Sequence, residues 1–320
     1  MEERFLVTSS PHVYARDSIS RIMLDVVIAL LIPLIGGVYF FGVQALILAA
    51  VSVAACVVFE YLWCAVCKKK STIHDCSAIV TGLLLAMSVP ATLPLWMVIV
   101  GDFFAIVIVK QFFGGIGKNF MNPALAARAL LLASFPVPMT TWVNALASRG
   151  GIDAVSSATP LAVAKAGEMG AYSYMDLFLG KVPGCIGETS VLLLLIGAAY
   201  LLIRGVIHLR VPLFYLGTLA VVTFVFGGET LFAGDFLYHL LSGGVVLGAF
   251  FMATDYTTSP ITPKGKIIMG IGCGLITAVI RLYGGYPEGV TYAILFMNAL
   301  TPLIDRLTLP KRFGEVRKHA

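Results

Sequence analysis

The chain has 320 residues, of which 59% are hydrophobic and only 12% charged, and its formal net charge is +5. Soluble domains carry about 25% charged residues, so the composition excludes an ordinary soluble fold and predicts a membrane protein. The basic residues are scattered between apolar segments, which excludes nucleic acid as a partner and agrees with loops that follow the positive-inside rule.

The N-terminal segment, residues 1–21, is polar and lacks the apolar core of a signal peptide. We expect it to be a cytoplasmic tail that leads into the first membrane span.

Ten apolar runs follow, each close to the roughly 20 residues that a membrane helix needs. They predict an all-α, polytopic membrane protein with about ten transmembrane helices. The third and fifth runs are short, which is typical of broken or half-spanning helices that line a cavity. The runs lie near 22–40, 43–66, 76–90, 94–113, 122–135, 188–204, 211–227, 236–253, 266–283 and 289–306.

The lysines and arginines predict the orientation of these spans. With the N-terminus in the cytoplasm, seventeen of the 22 basic residues fall in inside segments. Four fall outside, namely Arg149, Lys165, Lys181 and Arg281, and Arg128 lies within the fifth span. This bias predicts that both chain ends are cytoplasmic.

The longest connection, 136–187, is then extracytoplasmic and divides the chain into two membrane halves, 22–135 and 188–306. A cytoplasmic tail, 307–320, completes the predicted domain organisation.

The two halves also resemble each other in sequence. "GLLLAMSVPATLP" (82–94) resembles "GAFFMATDYTTSP" (248–260). Segments 106–125 and 277–300 share three features in the same order: a basic residue, an aromatic-Gly-Gly turn and the tripeptide Phe-Met-Asn. Five spans per half invert the second copy, so we predict two inverted five-helix repeats of the urea-transporter type. Such repeats place their site between the halves.

The outer connection contains "TPLAVAKAG", which predicts a short helix that begins at Pro160, is capped by Thr159 and ends near Gly167. An N-cap is the simplest role for the hydroxyl of Thr159. The same position also suits a phosphate ester, because backbone N–H groups at a helix N-terminus favour anions.

The preceding residues, "DAVSSAT", resemble the flavinylation motif Asp-x-x-Ser/Thr-Gly-Ala-Thr/Ser of the D subunit of the Rnf complex. That family is related to the B subunit of the sodium-pumping NADH:quinone oxidoreductase. The motif assigns Asp153, Ser156, Ala158 and Thr159, with Thr159 as the attachment residue, while Ser157 replaces the glycine of the motif. The sequence segments 114–136 and 259–305 also resemble this family, so the resemblance extends over nearly the whole chain.

The resemblance implies a subunit that carries covalent FMN as an electron relay between ferredoxin and NAD⁺, coupled to export of Na⁺ or H⁺. It implies that the partners are other Rnf subunits, membrane lipid and a flavin transferase. It also implies that the protein lies in a bacterial or archaeal cytoplasmic membrane. The chain lacks the cysteine clusters and nucleotide fingerprints that ferredoxin and NAD⁺ chemistry need, so we expect no metal and no complete active site in it.

Four further residues are candidate sites. Asp102 lies well inside an apolar run, where it is expected to pair with Arg128 or, less simply, to line an ion path. The amides of Asn119, Asn122 and Asn298 lie in the repeated motifs. Since relatives of the family carry a second, noncovalent flavin, these amides are candidates for a riboflavin or FMN site between the halves.

Three other functions stay open from the sequence. A B-type subunit of a sodium-pumping NADH:quinone oxidoreductase is similar but carries a longer N-terminal extension. A solute channel of the urea-transporter type would have the same architecture and no use for a flavinylation motif. A purely structural anchor for partner subunits would leave Thr159 unmodified.

Overall fold

The computed structural model describes residues 18–69, 72–143, 157–167, 172–188, 190–228 and 230–310. This part of the chain is helical. The first half comprises α1 (Ile19–Phe41), α2 (Val43–Val66), α3 (Ser77–Met87), α4 (Leu95–Phe103) continued by a π-helix (Phe104–Gln111), and α5 (Pro123–Ser134). The connection holds three short helices, α6 (Pro136–Met139), α7 (Pro160–Lys165) and α8 (Tyr174–Leu179).

The second half has the same number of main elements. They are α9 (Val191–Ile203), α10 (Arg210–Phe226), α11 (Phe236–Leu241) with α12 (Val245–Leu247) and a π-helix (Gly248–Met252), α13 (Pro263–Tyr283) and α14 (Val290–Thr308).

The helix starts follow from local side-chain chemistry. Asn122 and Thr262 each precede a proline and accept backbone N–H groups of the first turn, so they cap α5 and α13. Ser18 caps α1 in the same way, and α1 ends at Gly42, whose φ of 76° places it where side chains are disfavoured.

Three helices, α1, α2 and α13, have the length and hydropathy of membrane-spanning segments, while α3, α5, α9 and α10 are apolar but shorter. The all-α prediction is therefore confirmed over the described residues, and the apolar helices agree with a membrane protein. The count of ten spans stays a prediction.

The eighth predicted span, 236–253, is not one continuous α-helix. It breaks between α11 and α12, where Gly243 has a φ of 70°. The third and fifth spans are short, as expected, with 11 and 12 helical residues.

Similar helix pairs form within each half. Helix α2 packs against α4 in the first half and α10 packs against α13 in the second, while α1 meets α9 and α5 meets α14 across the halves. One continuous core of buried apolar residues joins both halves. A smaller apolar cluster, Ala164, Leu177, Val182 and Tyr238, holds α7 and α8 against α11.

Candidate functional site

Thr159 lies at the N-cap of α7, as the sequence predicts. Its backbone is extended, with a ψ of 155°, and its Oγ1 accepts a hydrogen bond from the N–H of Ala162 at 3.3 Å. The neighbouring carbonyls of Ala158 and Pro160 accept hydrogen bonds from the hydroxyls of Tyr172 and Tyr238 at 3.2 and 3.0 Å. These bonds hold the half-buried threonine at a fixed position on the connection.

A cavity of about 470 Å³ opens beside this hydroxyl, and we call it the Thr159 cavity. Its volume lies within the range of small-molecule sites, about 300–1,000 Å³. Three of its fourteen lining residues are aromatic, and Ser157 contributes a buried hydroxyl that has no hydrogen-bond partner among the described residues. The lining is Arg128, Leu132, Met139, Thr140, Trp142, Ser157, Ala158, Thr159, Ala162, Tyr286, Pro287, Glu288, Thr291 and Tyr292.

A group of buried charges borders the cavity, and we call it the Arg128 cluster. The guanidinium of Arg128, on α5, donates to Glu188 at 3.1 Å and to Glu288 at 2.6 Å. Glu288 also accepts from the backbone N–H of Gly244 at 2.6 Å. The cluster therefore joins α5 to the segments that precede α9 and α14, and it ties the two halves together.

Burial alone would raise the pKa of Glu288, which lies in the loop before α14. Arg128 and Arg281, together with the N–H of Gly244, outweigh burial and hold the pKa of this carboxyl below its usual value. Glu288 is therefore a carboxylate at neutral pH, and the Thr159 cavity has charged groups of both signs on one side.

Sequence reasoning missed Glu188 and Glu288 as site residues. Each lies in a glycine-containing segment, "GCIGET" and "YPEG", beside a membrane run. A carboxylate next to such a run is a signal for a paired or functional charge. The attachment-motif residues Asp153 and Ser156 lie outside the described residues, whereas Ser157 and Ala158 line the cavity.

The expected pairing of Asp102 with Arg128 is wrong. Asp102 is fully buried on α4 and accepts hydrogen bonds from Ser52 at 2.7 Å and from the thiol of Cys56 at 3.2 Å. Its Oδ2 has no partner within the described part of the chain. Arg128 instead forms ion pairs with Glu188 and Glu288, because the fold places both carboxylates, from the other half, next to its guanidinium.

The two asparagines of the repeated motif meet at the junction of the halves. Asn122 caps α5 and donates from its amide to the carbonyl of Met252 at 3.3 Å. With its amide nitrogen turned toward the carbonyls of Thr258 and Ile294, Asn298 accepts from the backbone N–H of Asn122 at 3.1 Å. Both amides thus have structural partners.

A second cavity, of about 90 Å³, lies between the halves and includes Asn119 and Asn122. Lys110, Asp255 and the carboxamide of Asn119 give it polar groups, and α1, α3 and α9 give it apolar walls. Asn298 does not line this cavity. Two of the three predicted asparagines are therefore brought together at one space.

Comparison with known proteins gives one consistent result. A family model described as the NQR2, RnfD, RnfE family matches residues 6–314. The chain is 51% identical to the D subunit of the Na⁺-translocating ferredoxin:NAD⁺ oxidoreductase complex of Acetobacterium woodii, covering 100% of this chain and 99% of that protein.

Two further relatives extend the comparison. The D subunit of the proton-translocating ferredoxin:NAD⁺ oxidoreductase complex of Clostridium ljungdahlii is 47% identical, over 98% of this chain and 97% of that protein. The D subunit of the ion-translocating oxidoreductase complex of Stutzerimonas stutzeri is 39% identical, over 93% of each.

Proposed function

The chain belongs to the NQR2, RnfD, RnfE family, and from this premise we propose that it is the D-type membrane subunit of an ion-translocating ferredoxin:NAD⁺ oxidoreductase. Near-complete coverage of relatives that carry this name supports the assignment. One of these relatives is named for Na⁺ and another for H⁺, so the likeness does not select the coupling ion. The B-type subunit of a quinone reductase and the solute channel remain the alternatives.

We further propose that Thr159 carries FMN through a phosphoester bond, and that the flavin relays electrons to partner subunits. The single observation that carries this proposal is the Thr159 hydroxyl at the edge of a cavity of about 470 Å³. A solute channel or a structural anchor gives no reason for a flavinylation motif at this position.

The residues of the Thr159 cavity fit a flavin. Trp142, Tyr286 and Tyr292 offer aromatic surfaces for a planar ring system. The hydroxyl of Ser157, which has no partner in the described part of the chain, offers a hydrogen bond to a polar edge. When bound, the flavin supplies the redox chemistry. The chain itself orients the cofactor and presents the charges of the Arg128 cluster beside it.

Helix α7 is too short for its dipole to hold a phosphate by itself, since it has six residues. We assign attachment to a separate transferase that uses FAD and reads the motif at Asp153, Ser156, Ser157 and Ala158, as the resemblance to the Rnf D subunit implies. A covalent bond suits a cofactor on the outer face, because a dissociating flavin would be lost from the cell.

We place the protein in the cytoplasmic membrane with both termini inside and Thr159 outside, as two inverted repeats of five spans that cover 22–135 and 188–306. The recurrence of similar helix pairs in the two halves and the contact between Asn122 and Asn298 support this arrangement. The second flavin, a noncovalent riboflavin or FMN between the halves, stays a proposal from the sequence. The cavity at Asn119 and Asn122, of about 90 Å³, is smaller than the range of small-molecule sites and would have to widen to hold it.

The direct test is intact-mass spectrometry of the chain produced together with its transferase in its own host. We expect the mass of the chain plus one FMN less one water, and flavin fluorescence on a denaturing gel. An unadducted mass in the assembled, active complex would remove the covalent flavin and leave the subunit assignment to stand on the family match.

Asp102 is our candidate for an ion path, because a buried carboxylate oxygen without a partner is costly in a membrane and is often functional. We expect Asp102→Asn to keep the hydrogen bonds from Ser52 and Cys56 and to lower ion pumping per electron transferred. Ion uptake by vesicles that contain the complex measures this ratio. An unchanged ratio in Asp102→Asn contradicts a role in the ion path.

A further inference from the structure

A third cavity, of about 210 Å³, lies on the other side of α7 from the Thr159 hydroxyl, and we call it the Arg281 cavity. Leu161, Ala164 and Lys165 of α7 form one wall, and the ends of α10 and α13 form the others, with His239 of α11 between them. Thr159 does not line it. The proposed flavin site therefore leaves this cavity unexplained.

Two buried side chains at this cavity have nitrogens without a hydrogen-bond partner in the part of the chain that the structure describes. The Lys165 ammonium, by contrast, donates to the carbonyls of Gly284 and Tyr286. His239 is 4% exposed, and neither of its ring nitrogens has a hydrogen-bond partner among the described residues. Arg281 is equally buried and donates to the carbonyls of His239 and Ser242, yet its Nε has no partner within the same part of the chain. Buried polar groups are normally paired with protein, water or ligand.

Among the described residues, the charged groups that line this cavity are positive. Lys165 and Arg281 line it, and none of its described lining residues is acidic. Arg281 makes no direct ion pair within the described ranges, although Glu288, which is bonded to Arg128 and to Gly244, lies close enough to interact with its charge. A volume of about 210 Å³ equals several water molecules of about 30 Å³ each, which suffices for a tetrahedral oxyanion.

We propose that the Arg281 cavity binds a phosphate-class anion through Arg281 Nε and the His239 ring. The Lys165 ammonium, which bonds two backbone carbonyls, adds its remaining N–H group and its charge. The anion is either free phosphate or the phosphodiester of a lipid headgroup. Exposed Tyr283 lines the cavity at the end of α13, and tyrosine is typical of the membrane–water boundary. A cavity at this boundary is within reach of lipid headgroups, so the lipid is the expected source.

The test uses the purified, delipidated complex and three probes: inorganic phosphate, phosphatidylglycerol in mixed micelles, and diacylglycerol, which lacks the phosphate. Equilibrium dialysis measures phosphate, and native mass spectrometry counts lipid on the chain. We expect one saturable site for phosphatidylglycerol and none for diacylglycerol. His239→Phe should weaken binding about tenfold or more, as loss of a charge-assisted hydrogen bond does.

His239→Phe is informative because the imidazole has no protein partner to lose among the described residues, and Lys165→Met provides a second variant. His208→Phe is the matched control, since His208 is exposed and lines a different cavity. Binding of phosphate alone would assign the free ion, and binding of phosphatidylglycerol alone would assign the lipid. No saturable binding of either, or equal binding by His239→Phe and the unmodified chain, overturns the proposal.

Discussion

Replacing Thr159 by alanine is expected to abolish covalent flavin on this chain. The substitution removes the oxygen to which the phosphoester is proposed to attach, and no neighbouring hydroxyl shares its place at the N-cap of α7 within the described residues. Flavin fluorescence of the chain on a denaturing gel should fall to background, and intact mass should return the unadducted chain. Electron transfer from ferredoxin to NAD⁺ through the complex should fall with it.

Two variants separate this result from a folding defect. Thr159→Ser keeps both a hydroxyl and the N-cap, so it should retain flavin, whereas alanine also costs about 1 kcal/mol of cap stability. Thr140→Ala removes a hydroxyl that lines the same cavity and donates to the carbonyl of Pro136 at 2.8 Å, and it should keep the adduct. Fluorescence that persists in Thr159→Ala would show that another residue carries the flavin.

The position of Thr159 could be predicted because its determinants are local. A hydroxyl residue before a proline and a short apolar run specify an N-cap and a first turn, and Gly167, with a φ of 93°, marks the end. The same logic holds at Asn122 and Thr262, which cap the helices that follow them. Capping depends on three or four consecutive residues, so the sequence alone suffices.

The partners of Arg128 could not be predicted in this way. Glu188 and Glu288 lie 60 and 160 residues away along the chain, and only the packing of the two halves brings them together. Asp102, the acid expected to pair with Arg128, accepts hydrogen bonds from Ser52 and Cys56 on α2 instead. Pairing of buried charges depends on tertiary structure, which a hydropathy pattern does not contain.

The interruption of the eighth predicted span has a similar explanation. Gly243 and Gly244 stand between apolar residues that continue the hydropathic run, so composition favours one helix over 236–253. In the fold, an added Cβ at Gly244 would lie 2.7 Å from a Glu188 oxygen and 2.8 Å from a Glu288 oxygen. The glycines thus make room for two carboxylates from distant segments, and the helix breaks there.

Loss of the charge of Arg128 is expected to lower the stability of the chain. Arg128→Met should destabilise the chain by about 3–5 kcal/mol, because two buried carboxylates lose the cation between them. Methionine has a similar length and no charge, so the change tests the charge rather than the volume. Unfolding of the purified chain in mixed micelles, titrated with a denaturing detergent, measures the free energy.

Arg204→Met is the matched control, since Arg204 pairs with Asp25 at 3.0 Å but is 41% exposed in its side chain. Asp25 is buried but keeps a hydrogen bond from Tyr200 at 2.9 Å, and the Arg204 end of the pair is exposed. The loss should therefore be smaller than at Arg128. Adding Glu188→Gln and Glu288→Gln to Arg128→Met should recover much of the stability, because neutral amides do not repel each other. If Arg128→Met is no less stable than Arg204→Met, the cluster does not hold the two halves together.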